Sequence, residues 1–206
     1  MDNFKVDIAG WFFESWRIFK SGWQVYMLTA LFFVIVNILA QVIPFGGIIV
    51  SGPLICGIFL VINDHLEGRE YKLGRLFSGF AYFVPAFSSS LLIFLFTVMG
   101  LTLLIIPGLI IGSWYIFTYL FIIDRGMDFW PAMEASRKLA FNDIVGFALF
   151  FLVIGILNFL GLLFFFVGTL VTVPLTFIAT YVAYRKLAGL HKLASDHVIT
   201  NRTEST

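Results

Sequence analysis

Charge is the scarcest thing in this chain. Thirteen residues are Lys or Arg and 12 are Asp or Glu, which makes 12% of 206 residues. Ordinary soluble domains carry about a quarter. Hydrophobic residues make up 60%, and the mean hydropathy is +0.99. That leaves too little polar surface to wrap a water-soluble globule of this length. A soluble enzyme, a disordered chain and a nucleic-acid binder are excluded on that ground. Cysteine is nearly absent, and Cys56 alone cannot close an internal disulfide, so a secreted disulfide scaffold is excluded too. None of the three histidines, His65, His191 and His197, pairs at the i, i+4 spacing of a helical zinc site. The net charge of +1 points to no charged partner. Signatures of hydrolysis, phosphate binding and dinucleotide binding are missing as well.

The positions of the missing charges are informative. Ser21 to Asn63, Leu76 to Ile123 and Ile144 to Tyr184 contain no ionisable Asp, Glu, Lys, Arg or His, over 43, 48 and 41 residues. One helical crossing needs about 20 apolar residues. A straight helix of the shortest stretch would be roughly 60 Å long, about twice the hydrocarbon thickness. Each stretch therefore folds back once. Pro and Gly interrupt helices, which puts the turns at Pro44-Phe45-Gly46-Gly47, Pro107-Gly108 and Val167-Gly168. The expected fold is an all-α polytopic membrane helix bundle in one integral membrane domain over 1–206. Six transmembrane helices, paired as three hairpins, are expected near 23–43, 48–63, 83–105, 108–123, 144–164 and 168–184. The short spans 48–63 and 108–123 either extend past their ends or re-enter partway.

All 13 basic and 12 acidic residues then fall in 2–20, 64–75, 124–143 and 185–204, on one face. The positive-inside rule makes that face cytoplasmic, with both termini inside and a cytoplasmic tail over 185–206. Asp2 and the mixed charges up to Lys20 do not read as a signal peptide. Residues 4–20 read as an interfacial helix, with Phe4, Ile8, Trp11, Phe12, Ser15, Ile18 and Phe19 on one stripe. Phe13 and Trp16 break the pattern. Asp128 to Phe141 is a second interfacial helix, with Pro131 in its first turn and Glu134 and Lys138 as an i, i+4 pair. Its small residues Ala132, Ser136 and Ala140 permit close packing. Pro44, Pro107 and Gly168 are spaced by 63 and 61 residues. That spacing fits an internal triplication, and it fits equally what any three stacked hairpins look like.

No ionisable residue falls inside the spans, which argues against an ion-coupled pump or a proton relay. Catalytic residues, metal ligands and cofactor contacts are all expected to be none. The polar groups left at membrane depth are uncharged. Asn37, Gln41 and Asn158 are the candidate polar intramembrane site, because amides are costly to leave unpaired in lipid. The alternative for them is ordinary interhelical hydrogen bonding. Gly108 and Gly112 read as a packing motif, Pro53 and Pro174 as kinks, and Trp114 and Tyr115 as core. Trp11, Trp16, Trp23, Trp130, Tyr82 and Tyr184 suit an interfacial belt. Asp64, Glu67 and Glu70 read as a solvated mixed-charge surface. Candidate lipid-headgroup contacts are Arg17, Lys20, Arg69, Lys72, Arg75, Arg137, Lys138, Arg185 and Lys186.

Several short runs carry a family resemblance. They are Ser15-Trp16-Arg17-Ile18-Phe19-Lys20, Gly74-Arg75-Leu76-Phe77-Ser78-Gly79-Phe80, Ile105-Ile106-Pro107-Gly108, Ala132-Met133-Glu134-Ala135-Ser136-Arg137-Lys138-Leu139 and Ala183-Tyr184-Arg185-Lys186-Leu187. Over residues 11 to about 187 the chain resembles uncharacterised six-span bacterial inner-membrane proteins, similar to the membrane domain of some glycerophosphoryl diester phosphodiesterases. The resemblance implies a bacterial cytoplasmic membrane location and transfers no catalytic residue. The expected function is therefore non-enzymatic, structural or accessory, with the lipid bilayer, another membrane protein or a second copy as partner. The alternative is a small-solute binding or transport subunit of a larger importer.

Overall fold

The computed structural model describes residues 6–69, 72–103, 105–164 and 167–190. The start of the 4–20 segment, Glu70, His191, His197 and the tail beyond 190 lie outside them. The described residues form nine α-helices and two 3-10 segments. The α-helices are α1 (Ile8–Ser21), α2 (Trp23–Ala40), α3 (Gly46–Leu66), α4 (Phe83–Leu103), α5 (Ile105–Trp114), α6 (Thr118–Arg125), α7 (Phe129–Ala140), α8 (Ile144–Leu163) and α9 (Thr169–Ala188). A 3-10 helix, Leu73–Tyr82, leads into α4, and a shorter one, Phe141–Asp143, joins α7 to α8. The chain is an all-helical bundle.

Three hairpins are present: α2 with α3, α4 with α5, and α8 with α9. The first turn lies where proline and glycine predict it, and Phe45 takes a left-handed conformation there (φ 62°). The second turn differs from expectation. Pro107 and Gly108 are helical and lie near the start of the described part of α5, with Gly108 packed against Gly100 of α4. The third turn falls between Leu163 and Thr169, as expected.

The fourth span is not one rod. It stops at Trp114, breaks over 115–117 and resumes as α6. Among the described residues five segments are long and apolar enough to cross a membrane: Trp23–Ala40, Gly46–Leu66, Leu73–Gly100, Pro107–Arg125 and Phe129–Leu163. The expected count of six is corrected to five on that measure. The missing one is α9, which is diluted by Thr169, Thr172, Thr176 and Thr180 and ends in Arg185-Lys186. From Ile178 to Tyr184 every residue of α9 is buried, so protein rather than lipid is its surroundings there.

The hairpins close into a ring. α3 packs on α4, α5 on α8, and α9 back on α2. Each hairpin is preceded by a lead-in helix that docks on the second helix of the hairpin before it. The 3-10 lead-in packs on α3, α7 on α6, and α1 on α9. Each of these second helices is interrupted not far past its turn, by Pro53, by the break at 115–117 and by Pro174. The order of elements and their cyclic contacts thus repeat three times.

Close approach explains the tightest of these joints. A Cβ on Gly79 would strike the Pro53 carbonyl and the Gly57 backbone, and a Cβ on Gly57 would strike the Leu76 carbonyl. Only glycine at both positions lets the lead-in lie on α3. The Gly108 and Gly112 motif also packs within the bundle, against Gly100 of α4 and Phe151 of α8.

The core is not centred along the spans. Tyr26, Thr29 and Ala30 are the buried residues of α2, and Ile35, Ile38 and Leu39 further along it are exposed. In α3 the buried run is Gly52 to Asp64 apart from a half-buried Ile55. Packing is therefore tightest at the charged end, where lead-ins add a layer around the hairpins. Towards the turns, Leu149, Leu152, Ile156, Phe159 and Leu163 leave an apolar outer surface on α8.

Two interfacial assignments change. Trp11 is buried against Phe147 and Phe150 at centroid distances of 6.4 and 5.1 Å. Tyr184 is fully buried between Phe117 and Phe121. Both were expected in the aromatic belt, but the lead-in layer covers that level of the bundle. Phe13, Trp16, Trp23 and Trp130 do stay exposed, Phe13 at 77%.

Candidate functional site

The ring helices line a partly open cavity of about 420 Å³. Every ring helix contributes: Phe33 from α2, Ile55 and Phe59 from α3, Ile93 and Thr97 from α4, and Gly112 from α5. The break supplies Tyr115 and Ile116, and α6 supplies Tyr119. The remaining wall comes from α8 and α9, including Phe151, Asn158, Thr176 and Phe177. None of the lining side chains is ionisable near neutral pH, and the wall is mostly hydrocarbon.

The break at 115–117 positions the two tyrosines. It is held open from outside by Ser136 of α7. The Ser136 hydroxyl donates to the Trp114 carbonyl at 2.7 Å and accepts from the Phe117 N–H at 3.2 Å. One side chain thus serves two backbone groups that an interrupted helix orphans. The turn rotates Tyr115 onto Phe96 (centroids 6.0 Å apart) and brings the Tyr119 hydroxyl to Ser90 at 3.0 Å.

Asn158 is the polar centre of the wall. Its Nδ2 donates to the Ile154 carbonyl at 2.9 Å and to the Thr176 hydroxyl at 3.2 Å. Thr176 spends its own proton on the Val173 carbonyl at 2.9 Å, and Thr180 spends its proton on the Thr176 carbonyl at 2.9 Å. The Asn158 Oδ1 is buried and accepts no hydrogen bond. Asn37 and Gln41 do not join it. The Asn37 amide donates to Phe33 of its own helix at 2.8 Å, and Gln41 caps α2 in an exposed position; neither lines the cavity. Of the three amides named from sequence, one meets the cavity.

The charged end holds a second constellation, one that the sequence reading missed. Asp64 is buried, 5% exposed, rather than solvated. Arg69 reaches it at 2.7 Å and Arg75 at 2.8 Å. Beside it the Asn63 amide meets the Tyr181 hydroxyl at 2.5 Å, and with its oxygen towards Arg69 it serves Tyr181, Glu67 and Arg69 together. Asp124, also buried, accepts from the Tyr184 hydroxyl at 2.8 Å. These bonds tie α3, the 3-10 lead-in, α6 and α9 at one level. The signal in the sequence was two carboxylates flanking the apolar stretches, Asp64 and Asp124, each within a helix rather than after it.

The proposed headgroup cations divide by partner. Arg69 and Arg75 are held by Asp64, Arg137 by Glu134 at 2.7 Å, and Lys186 by Glu14 at 2.6 Å. Lys138, 71% exposed at its side chain, lies 3.6 Å from the same Glu134. The expected Glu134–Lys138 pair is thus secondary to the shorter two-pronged contact with Arg137. Arg17, Lys20, Lys72 and Arg185 are exposed, with the Lys20 ammonium 5.2 Å over the Trp16 ring. Among the described residues no group of three His, Cys, Asp or Glu is placed to hold a metal ion.

Comparison with family models, with curated proteins and with solved structures returns no match.

Proposed function

We propose that this chain is a non-enzymatic integral membrane protein that hosts a lipid-like apolar ligand in this cavity, in an accessory role at the cytoplasmic membrane. The carrying observation is the cavity itself, about 420 Å³ and walled by all six ring helices without a charged group. Small-molecule sites occupy roughly 300–1,000 Å³. The wall also lacks the carboxylate, imidazole, amine or thiol that acid–base or nucleophilic chemistry uses.

The membrane setting rests on the five apolar segments and the exposed apolar surface towards the turns. In this reading α9 is a sixth crossing, sheltered by α1, α2, α3 and α8, which is why its threonines are tolerated. The charged end faces the cytoplasm by the positive-inside rule, with both termini there. The bacterial location rests on the resemblance of the short motifs to the six-span inner-membrane group. Exposed Arg17, Lys20, Lys138 and Arg185, beside Trp16 and Trp130, suit anionic headgroups at about 1 kcal/mol each.

The test is extraction in mild detergent followed by mass spectrometry of the intact protein. A co-purifying lipid-sized mass is expected. It should be lost when Ile154→Trp fills the cavity while the helical content is unchanged. A ligand-free wild type sinks the reading. A second reading, a solute-binding subunit of an importer, is favoured by the three interrupted helices that frame the cavity. Uptake of a polar solute by liposomes holding this protein alone would select it instead.

A further inference from the structure

The cavity has a closed floor at the charged end. Phe59, Tyr119 and Thr180 are its last lining residues on α3, α6 and α9, and all three helices run towards that end. Beyond them no side chain is exposed for a further turn: Leu60 to Asp64, Leu120 to Asp124 and Tyr181 to Tyr184 are buried without a gap. The first helix of each hairpin closes the same level with the side chain three residues into it, Tyr26, Ala86 and Phe147, all buried. The opening of the cavity therefore lies away from the charged face. We propose that this floor is a gate: a latch of paired polar side chains that shuts the cavity off from water at the charged face and opens when its cross-helix bonds break. The gate rests on the hosting reading above for what passes, and on the floor alone for the closure.

The latch lies one turn past the lining. Asn63 is four residues beyond Phe59, Asp124 five beyond Tyr119 and Tyr184 four beyond Thr180, about 6–8 Å along each helix. Its bonds run across the ring. The Tyr181 hydroxyl meets the Asn63 amide at 2.5 Å and ties α9 to α3; the Tyr184 hydroxyl donates to Asp124 at 2.8 Å and ties α9 to α6. Each of the three units contributes at this level, since Asp64, Asp124 and Tyr184 are spaced by 60 and 60 residues.

Polarity is what lets such a layer open. A hydrocarbon plug parts only by wetting apolar surface, whereas a hydrogen-bonded layer exchanges its partners for water at small net cost. The outermost links are already half in water, because Arg69 and Arg75, which hold Asp64, are 41% and 27% exposed at their side chains. Paired, the layer is dry. Without the Tyr181 or Tyr184 hydroxyl, a buried polar group is short of a partner, and water is the one that can reach it.

The experiment uses the full chain in sealed vesicles, with Thr97→Cys as the probe in the cavity wall and the fully buried Cys56 kept as the reporter of unfolding. A membrane-impermeant methanethiosulfonate is added from the side on which Lys138→Cys labels, and the two cysteines are read separately by peptide mass mapping. With the latch intact, Thr97→Cys is expected to react about a hundredfold more slowly than Lys138→Cys, the factor that breaking two buried hydrogen bonds implies. Adding Tyr181→Phe and Tyr184→Phe should close most of that gap while Cys56 stays unmodified. Fast labelling of Thr97→Cys with the latch intact means an open floor and overturns the proposal. Slow labelling that the two phenylalanines leave unchanged overturns the latch. If the double variant labels at Cys56 as well, Tyr181→Phe alone takes its place. None of these rates depends on a bound ligand, so a ligand-free wild type sinks the hosting reading and leaves the gate standing.

Discussion

Single residues at the charged end do more for this bundle than their place in the sequence suggests. Asp64 answers two guanidinium groups while buried, so Asp64→Ala leaves both without their main partner. About 3 kcal/mol is expected, the low end for a broken buried ion pair because both arginines reach water. Cys56 supplies the measurement. It is the chain's one cysteine and is fully buried, so maleimide labelling in detergent reports unfolding. The labelling midpoint should fall sharply for Asp64→Ala. Tyr184→Phe should cost about 1–3 kcal/mol by the same readout, since Asp124 loses a donor it cannot replace from solvent. Glu134 is different in kind. On α7, ahead of the apolar helix that begins at Ile144, the Arg137 hydrogen bonds hold its carboxyl below the usual carboxylate range. The folded state therefore binds that proton more weakly than the unfolded state. Its contribution is complete above the ordinary carboxylate pKa and is lost as pH falls through the lowered folded value. Glu134→Gln should remove that acid-side dependence from the labelling profile.

At the scale of the element, glycine spacing decides where a lead-in can dock. Gly57→Ala drives a methyl into the Leu76 carbonyl, against backbone that cannot yield. It should destabilise the fold by more than 2 kcal/mol, about the cost of overpacking a filled site. Gly155→Ala in α8 meets nothing within 4 Å and should be neutral or gain up to about 1 kcal/mol from helix propensity. Thermal melts of the two variants, side by side, separate close packing from mere apolarity. The break over 115–117 has the same logic. Ser136→Ala removes the one side chain that bonds both ends of it, and Tyr115 and Tyr119 are the cavity residues that should lose their order.

For the whole molecule the decisive property is sidedness. With Cys56 changed to serine, cysteines placed at Phe45 and at Lys138 should label from opposite sides of intact cells with a membrane-impermeant maleimide. Phe45 lies at the first hairpin turn and Lys138 on the charged lead-in layer. Labelling of both from one side would sink the topology and the orientation of the cavity with it. The ring also predicts that the three units depend on one another. Loss of the α9 to α2 contact should open the cavity without melting the hairpin of α4 and α5, and with it the retention of the proposed ligand should be lost.

Composition and charge spacing were enough to dictate helices, their pairing and the gathering of ionic groups at one end. The reason is that lipid tolerates few backbone arrangements and a buried charge is expensive. The turn at Pro44 to Gly47 and the capped helix from Asp128 were legible for the same local reasons. What needed the folded chain was everything set by distant neighbours. Pro107 sits inside a helix rather than at a turn, Trp11 and Tyr184 are covered rather than interfacial, and Asp64 is paired rather than solvated. Asn158 reads like Asn37 in the sequence, since each amide can bond its own helix four residues back. Only the closing of α9 onto α2 separates them. That closure puts one amide in the wall of a cavity and leaves the other outside it, because a cavity belongs to the contacts among helices and no single segment encodes it.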